Sequence, residues 1–129
     1  MADYFIDAGM DVIAVVDPLI SQISVSHFEE FMLEPFTALF DHIKAKGVYS
    51  SFFVCGDATR NLDVMCKTGC HSISVDENVN LNVAKDICDK YNVSIGGNIY
   101  GVGLFVTLHL EGPLAYYGSS WEQQLDLLV

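Results

Sequence analysis

A chain of 129 residues that is 51% hydrophobic can bury one domain-sized core, which excludes a disordered polypeptide. A formal net charge of −11 with only six Lys+Arg excludes a nucleic-acid interface, because a phosphate backbone needs a basic surface that these residues cannot assemble, and an anionic membrane is equally unsuitable. The opening MADYFIDAGMD carries acid where a secretory leader carries base, and no apolar run approaches the roughly 18 residues of a membrane span, so the chain reads as cytoplasmic.

The first clear element is DVIAVVDP, a β-branched run closed by Pro18, which has the character of a strand buried on both faces in a parallel sheet. A long helix is expected next, opened by a capping box of Ser26 and Glu29 and closed by Lys44, Lys46 and Gly47. Phe28, Phe31, Met32, Phe36, Leu39, Phe40 and Ile43 recur along it at helical spacing, and Pro35 should bend it. VYSSFFVCG then reads as strand, TRNLDVMCKTG as helix stopped by Gly69, HSISVDE as strand, NLNVAKDICDKYN as helix and VSIGGNI as strand. Beyond it, Leu104, Val106, Leu108 and Leu110 fit a strand or a short apolar helix, and SSWEQQLDLLV fits a last helix capped by Ser119 or Ser120. Alternating strands and helices imply an α/β fold with parallel strands, and with no Pro/Ser-rich linker residues 1–129 read as a single domain.

Parallel strands share one rim at their C-terminal ends, and here those ends are Asp17-Pro18, Cys55-Gly56, Asp76-Glu77 and Asn98. Two carboxylates, a thiol and an amide on one rim could hold a metal, bind a polar substrate or move protons. The same residues also serve ordinary turns, since Asp and Asn cap helices and free cysteine packs well in cores. Four cysteines are too few for a disulfide scaffold, so they are expected as free thiols or metal ligands. Cys66 and Cys88 fall on apolar helix faces and read as core, and Cys70-His71 begins a strand, which places that pair on the opposite rim. His27, His42 and His109 have no neighbour suggesting a catalytic pair, and GGNIYGVG lacks the order of a nucleotide loop.

Three stretches, AGMDVIAVVDPLISQISVSHFEEFMLEPFTALFDHIKAKG, FVCGDATRNLDVMCKTGCHSISVDENVNLNVAKD and IGGN, resemble the uroporphyrinogen decarboxylase superfamily. Within it they are most similar to the arm of the methylcobamide:coenzyme M methyltransferases. The resemblance runs from about Tyr4 to Asn98 and implies a (β/α)8 TIM-type barrel, of which this chain would supply about four β/α units beginning at the helix before a middle strand. A complete barrel takes about 250 residues, so a truncated half barrel is expected, completed by a second copy or by the remaining half. Dimerisation would cover the open sheet edges and the apolar inner face.

The resemblance further implies methyl transfer from a corrinoid protein to a thiol, assisted by zinc. Zinc stabilises a thiolate, and the thiolate is the nucleophile. The arm holds zinc through a His-x-Cys pair at a strand end and a later cysteine. Cys55 matches the motif cysteine and is the expected metal ligand, whereas Phe53 stands where the histidine would be, and the later cysteine would fall beyond Val129. On this reading Cys55, Asp17 and Asp76 are catalytic, while Asn98, Pro18 and Phe53 line the substrate. The decarboxylase arm is matched around Asp76 and at Gly97-Asn98, but Pro18 replaces its substrate-contacting serine. The alternatives are a tetrapyrrole- or corrinoid-binding or assembly module without catalysis, an inactive remnant, or a decarboxylase-like fragment.

Overall fold

Among the described residues four short strands, β1 (Val12–Val16), β2 (Tyr49–Val54), β3 (Ser72–Val75) and β4 (Ser94–Gly97), pair in chain order, every neighbour parallel. Each was expected from its β-branched or alternating run, and parallel pairing requires the helical crossovers that separate them. The computed structural model describes residues 1–98, the first of the two units into which the chain divides. The elements expected around Leu104–Leu110 and at residues 119–129 lie outside the described residues. The architecture is that of a partial TIM-type barrel.

Register fixes which side chains share a face. Val15 pairs with Phe52, Phe52 with Ile73, and Ile73 with Ile95, so these residues point to one side of the sheet. On that side lie the helices α1 (Ala2–Asp7), α3 (Leu33–Ala45), α4 (Leu62–Cys66) and α5 (Leu81–Tyr91), and the core forms between the two layers. Phe52 is its centre, with ring centroids 4.6 Å from Phe36 and 5.1 Å from Phe40, and Ile43, Leu62, Met65, Ala84 and Cys88 fill the remainder. The opposite face carries Val16, Phe53, Ser74 and Gly96 in one row and Ala14, Ser51, Ser72 and Ser94 in the row below. Among the described residues no helix covers it, and Val12, Val16 and Tyr49 are each more than half exposed.

The long helix departs from expectation at its start. Its first turn is capped by Ser24, whose hydroxyl accepts from the His27 amide at 3.2 Å, and not by a Ser26–Glu29 box; Ser26 lies inside the turn, 3.0 Å from the Ser24 hydroxyl. From α2 (Val25–His27) the chain passes through a π turn, Phe28–Met32, before α3 begins. Pro35, which has no N–H to offer the carbonyl four residues earlier, is the third residue of α3, in the first turn where proline is tolerated. The exit is as read, with Lys46 at the cap and Gly47 at φ +75°, a conformation that glycine adopts without strain. Asn80 caps α5 through the amides of Asn82 and Val83.

Because Phe52 is fully buried among aromatic rings, Phe52→Ala should destabilise the fold by about 3–5 kcal/mol through lost transfer energy and the cavity left behind. Its neighbour Phe53 lies on the open face, so Phe53→Ala should cost less than about 1.5 kcal/mol. Urea unfolding of the two variants checks the contrast.

Candidate functional site

The rim is assembled from the segments that leave the four strands. Continuing the observed register by one residue sets Cys55 beside Asp76 on the uncovered face, while Asn98 follows Gly97, whose φ of +118° ends the strand alternation of β4. A carboxylate oxygen of Asp76 accepts a hydrogen bond from the Gly56 amide, joining the two strand ends directly. The other oxygen accepts from the Asn78 amide at 3.0 Å and the Asn78 side chain at 3.2 Å. Asp76 is therefore a clasp: one oxygen holds the residue after Cys55, and the other holds its own turn. Asn98 is tied to the same region through its side-chain amide, 2.6 Å from the Val79 carbonyl.

Gly56 is required where it stands. Its φ of +81° lies in the left-handed region, and an added Cβ would sit 2.8 Å from the Ser21 hydroxyl oxygen. Ser21 belongs to a 3-10 turn, Pro18–Gln22, which carries the chain away from β1. That turn is held from the β2 side by Arg60, which donates to the Ser21 carbonyl at 2.8 Å, and by the buried Asn61, whose amide donates to Ile20 and Ile23 at 2.6 and 3.0 Å. Ser21, Arg60 and Asn61 were not singled out by the sequence. Their role depends on contacts across about forty residues of chain, which no local pattern encodes.

Asp17 behaves differently from the other strand ends. Its carboxylate accepts from the Leu19 amide at 2.9 Å and caps the 3-10 turn, while its own amide extends the ladder to the Phe53 carbonyl at 3.2 Å. It shares the strand parity of Ile13 and Val15, the helix-facing side, so the structure does not bring its carboxylate to Cys55 and Asp76. Pro18 opens the same turn as an exposed residue, and Phe53, half-buried, lies on the Cys55 face one pair below the rim.

Among the described residues no three His, Cys, Asp or Glu side chains lie together in a way that could hold a metal ion. The donor set of the rim does not fit zinc: Cys55 offers one thiol, both oxygens of Asp76 are already hydrogen-bonded, and Phe53 supplies no donor. The remaining thiols are remote from the rim and buried. Cys66 donates toward Cys88 across 3.9 Å, and that bond together with burial pushes the Cys66 thiol well up. Burial pushes Cys70 up to about 11. His71 lies at the start of β3, on the opposite rim, as the sequence placed it.

The chain matches the uroporphyrinogen decarboxylase (URO-D) family over residues 1–108. It belongs to the uroporphyrinogen decarboxylase family. Within that family it is similar to two curated proteins named methylcobamide:CoM methyltransferase MtbA. The protein from Methanosarcina acetivorans is 32% identical over 105 residues, covering 80% of this chain and 30% of the relative. The protein from Methanosarcina mazei is 31% identical over 100 residues, covering 76% and 29%. A solved methyltransferase from Methanosarcina mazei superposes with a TM-score of 0.67 at 24% identity, over 76% of this chain and 29% of that structure, and so shares the fold. The chain thus spans about three tenths of the length of these relatives. No described helix is long and apolar enough to cross a membrane.

Two outcomes follow from this geometry. Gly56→Ala should destabilise the protein by about 1–3 kcal/mol, from left-handed backbone strain and the displaced Ser21, measured by thermal or urea unfolding. In native protein Cys55 should react with a thiol-specific reagent well before Cys66, Cys70 and Cys88, which should become reactive only on unfolding. Peptide mapping after timed labelling reads that order.

Proposed function

We propose that this chain supplies the Cys55 rim of a methyltransferase-type barrel, which hands a methyl group from a corrinoid to a thiol. The observation that carries the reading is the Asp76–Gly56 clasp, which fixes the backbone beside Cys55 at the C-terminal ends of the strands, where barrels of this kind place their chemistry. Membership of the family and the likeness to methylcobamide:CoM methyltransferases supply the reaction class. The corrinoid, brought by a partner protein, would supply the methyl group. This chain would hold the reacting thiol, with Cys55 as its ligand-bearing or nucleophilic residue and Asn98 orienting the substrate beside it. Asp76 serves as a positioning residue, because its oxygens are committed to Gly56 and Asn78. Zinc enters the proposal only through Cys55 together with ligands from outside residues 1–98, since the described donors do not form a site. A second copy or the remaining half barrel would close the uncovered face and the outer edge of β1.

One observation favours a second reading. Phe53 brings an apolar ring to the position beneath the rim where a donor is expected, which suits a corrinoid- or tetrapyrrole-binding or assembly module without catalysis. Decarboxylation has less support, since the one cationic side chain described at the rim, Arg60, is engaged with the Ser21 carbonyl and a substrate with several carboxylates needs more than one such group.

The test is methyl transfer from methylcobalamin to a small thiol by the full chain, with zinc per chain determined on the same preparations. The methyltransferase reading expects turnover by wild type, its loss in Cys55→Ala, and a fall of about 10²-fold in Asp76→Ala, where the thiol is displaced but not removed. Binding of the corrinoid without turnover in every variant would replace it with the binding-module reading.

A further inference from the structure

The opposite rim, at the N-terminal ends of the strands, holds an open depression of about 840 Å³ lined in part by Lys44, Lys67, His71, Tyr49, Ser94 and Val93. Its cations stand out in a chain of net charge −11 with six Lys+Arg in all. Lys67 is committed to Asp63 at 2.8 Å, and Asp63 also accepts from the Tyr91 hydroxyl at 2.7 Å. Lys44 has no acidic partner among the described residues and remains an unpaired ammonium at the edge of the depression.

His71 is held in one tautomer. Its Nδ1 lies 3.1 Å from the Ser50 amide nitrogen and 3.0 Å from the Ser50 hydroxyl, and Ser50 is itself buried. A backbone N–H can only donate, so Nδ1 must be the acceptor and Nε2 must carry the ring proton. The His71 amide donates back to the Ser50 hydroxyl at 3.3 Å, and Tyr49 packs edge-on against the ring at 5.0 Å. The Nδ1 contacts to Ser50 and the Tyr49 ring fix the imidazole's orientation. The remaining ring N–H therefore belongs to the half of the imidazole away from Ser50, a fixed donor without a partner among the described residues.

We propose that this depression is a binding site for a small organic anion, a carboxylate or phosphate on an aromatic or apolar body, received by the Nε2–H of His71 and the ammonium of Lys44. The charged group takes two donors, one of them charge-assisted. The Tyr49 ring and the apolar walls at Val12 and Val93 receive the body of the molecule. The site is separate from the Cys55 rim and does not depend on the methyltransferase reading.

Titration of the isotope-labelled full chain with benzoate, phenyl phosphate and uncharged benzyl alcohol, followed by amide chemical shifts, tests the assignment. Either anion, or both, should shift Gly69, His71 and Ser94 in a saturable way with Kd in about the millimolar range or tighter, and the alcohol should not. Which anion binds more tightly distinguishes a carboxylate ligand from a phosphate ligand. His71→Ala should weaken binding by about 10-fold or more, Lys44→Ala should weaken it by a few-fold or more, and Lys44→Arg should retain it. Lys44 is exposed, so its variants report on the site without endangering the fold. No saturable binding by either anion, equal shifts from the alcohol, or undiminished affinity in Lys44→Ala would overturn the proposal.

Discussion

Parallel pairing of β1 to β4 is the constraint on which everything else in residues 1–98 depends. Because each strand runs the same way, every helix must cross back over one face, and that face becomes the core around Phe52. The other face mixes apolar side chains, Val12, Val16 and Phe53, with a patch of small and hydroxyl-bearing ones: Ser51 lies 3.2 Å from Ser74, and Gly96 leaves only 3.3 Å between an imagined Cβ and the Ser74 hydroxyl. The same direction of travel gathers the strand ends. Cys55 and Asp76 become neighbours at the ends of paired strands, although they are separated in sequence by a whole helix.

Register brings these residues close, but side-chain chemistry decides what each does. Asp76 joins β3 to β2 at the rim by accepting from Gly56, and Gly56 can occupy its place only because it lacks a side chain that would meet Ser21. Asp17, also at a strand end, is spent as a cap one strand away. The difference between a carboxylate that reaches the neighbouring strand end and one that finishes its own turn lies in strand parity, since Asp76 lies on the uncovered face and Asp17 on the helix-facing side. On the far rim, Ser50 and His71 make a comparable cross-strand clasp, so both ends of the β2–β3 pair are locked by polar side chains.

The fold was largely legible in the sequence because its determinants are local. Val12–Val16 is a β-branched run, Leu81–Tyr91 has a clean amphipathic period with Asn80 before it, and Gly47 and Gly69 mark helix ends. The start of the long helix was misread because both Ser24 and Ser26 can cap, and only the observed turn shows that Ser24 accepts the His27 amide. Of the candidate site, the rim was legible from strand direction, because parallel strands end on one side of the sheet. The clasp was not legible, nor were the supports from Arg60 and Asn61, because hydrogen bonds between residues 20 and 41 positions apart leave no periodic trace. Membership of the uroporphyrinogen decarboxylase family, read first from quoted stretches, is borne out over residues 1–108.

The measurement that bears most directly on the Cys55 rim is hydrogen exchange at the Gly56 amide, compared between wild type and Asp76→Asn. A clasp predicts strong protection of this loop amide in wild type and a loss of about tenfold or more in the variant, where the charge that strengthens the bond is gone. Exchange at Gly56 as fast in wild type as in a solvent-exposed loop would show that Asp76 does not hold the strand end, and that Cys55 is not fixed there.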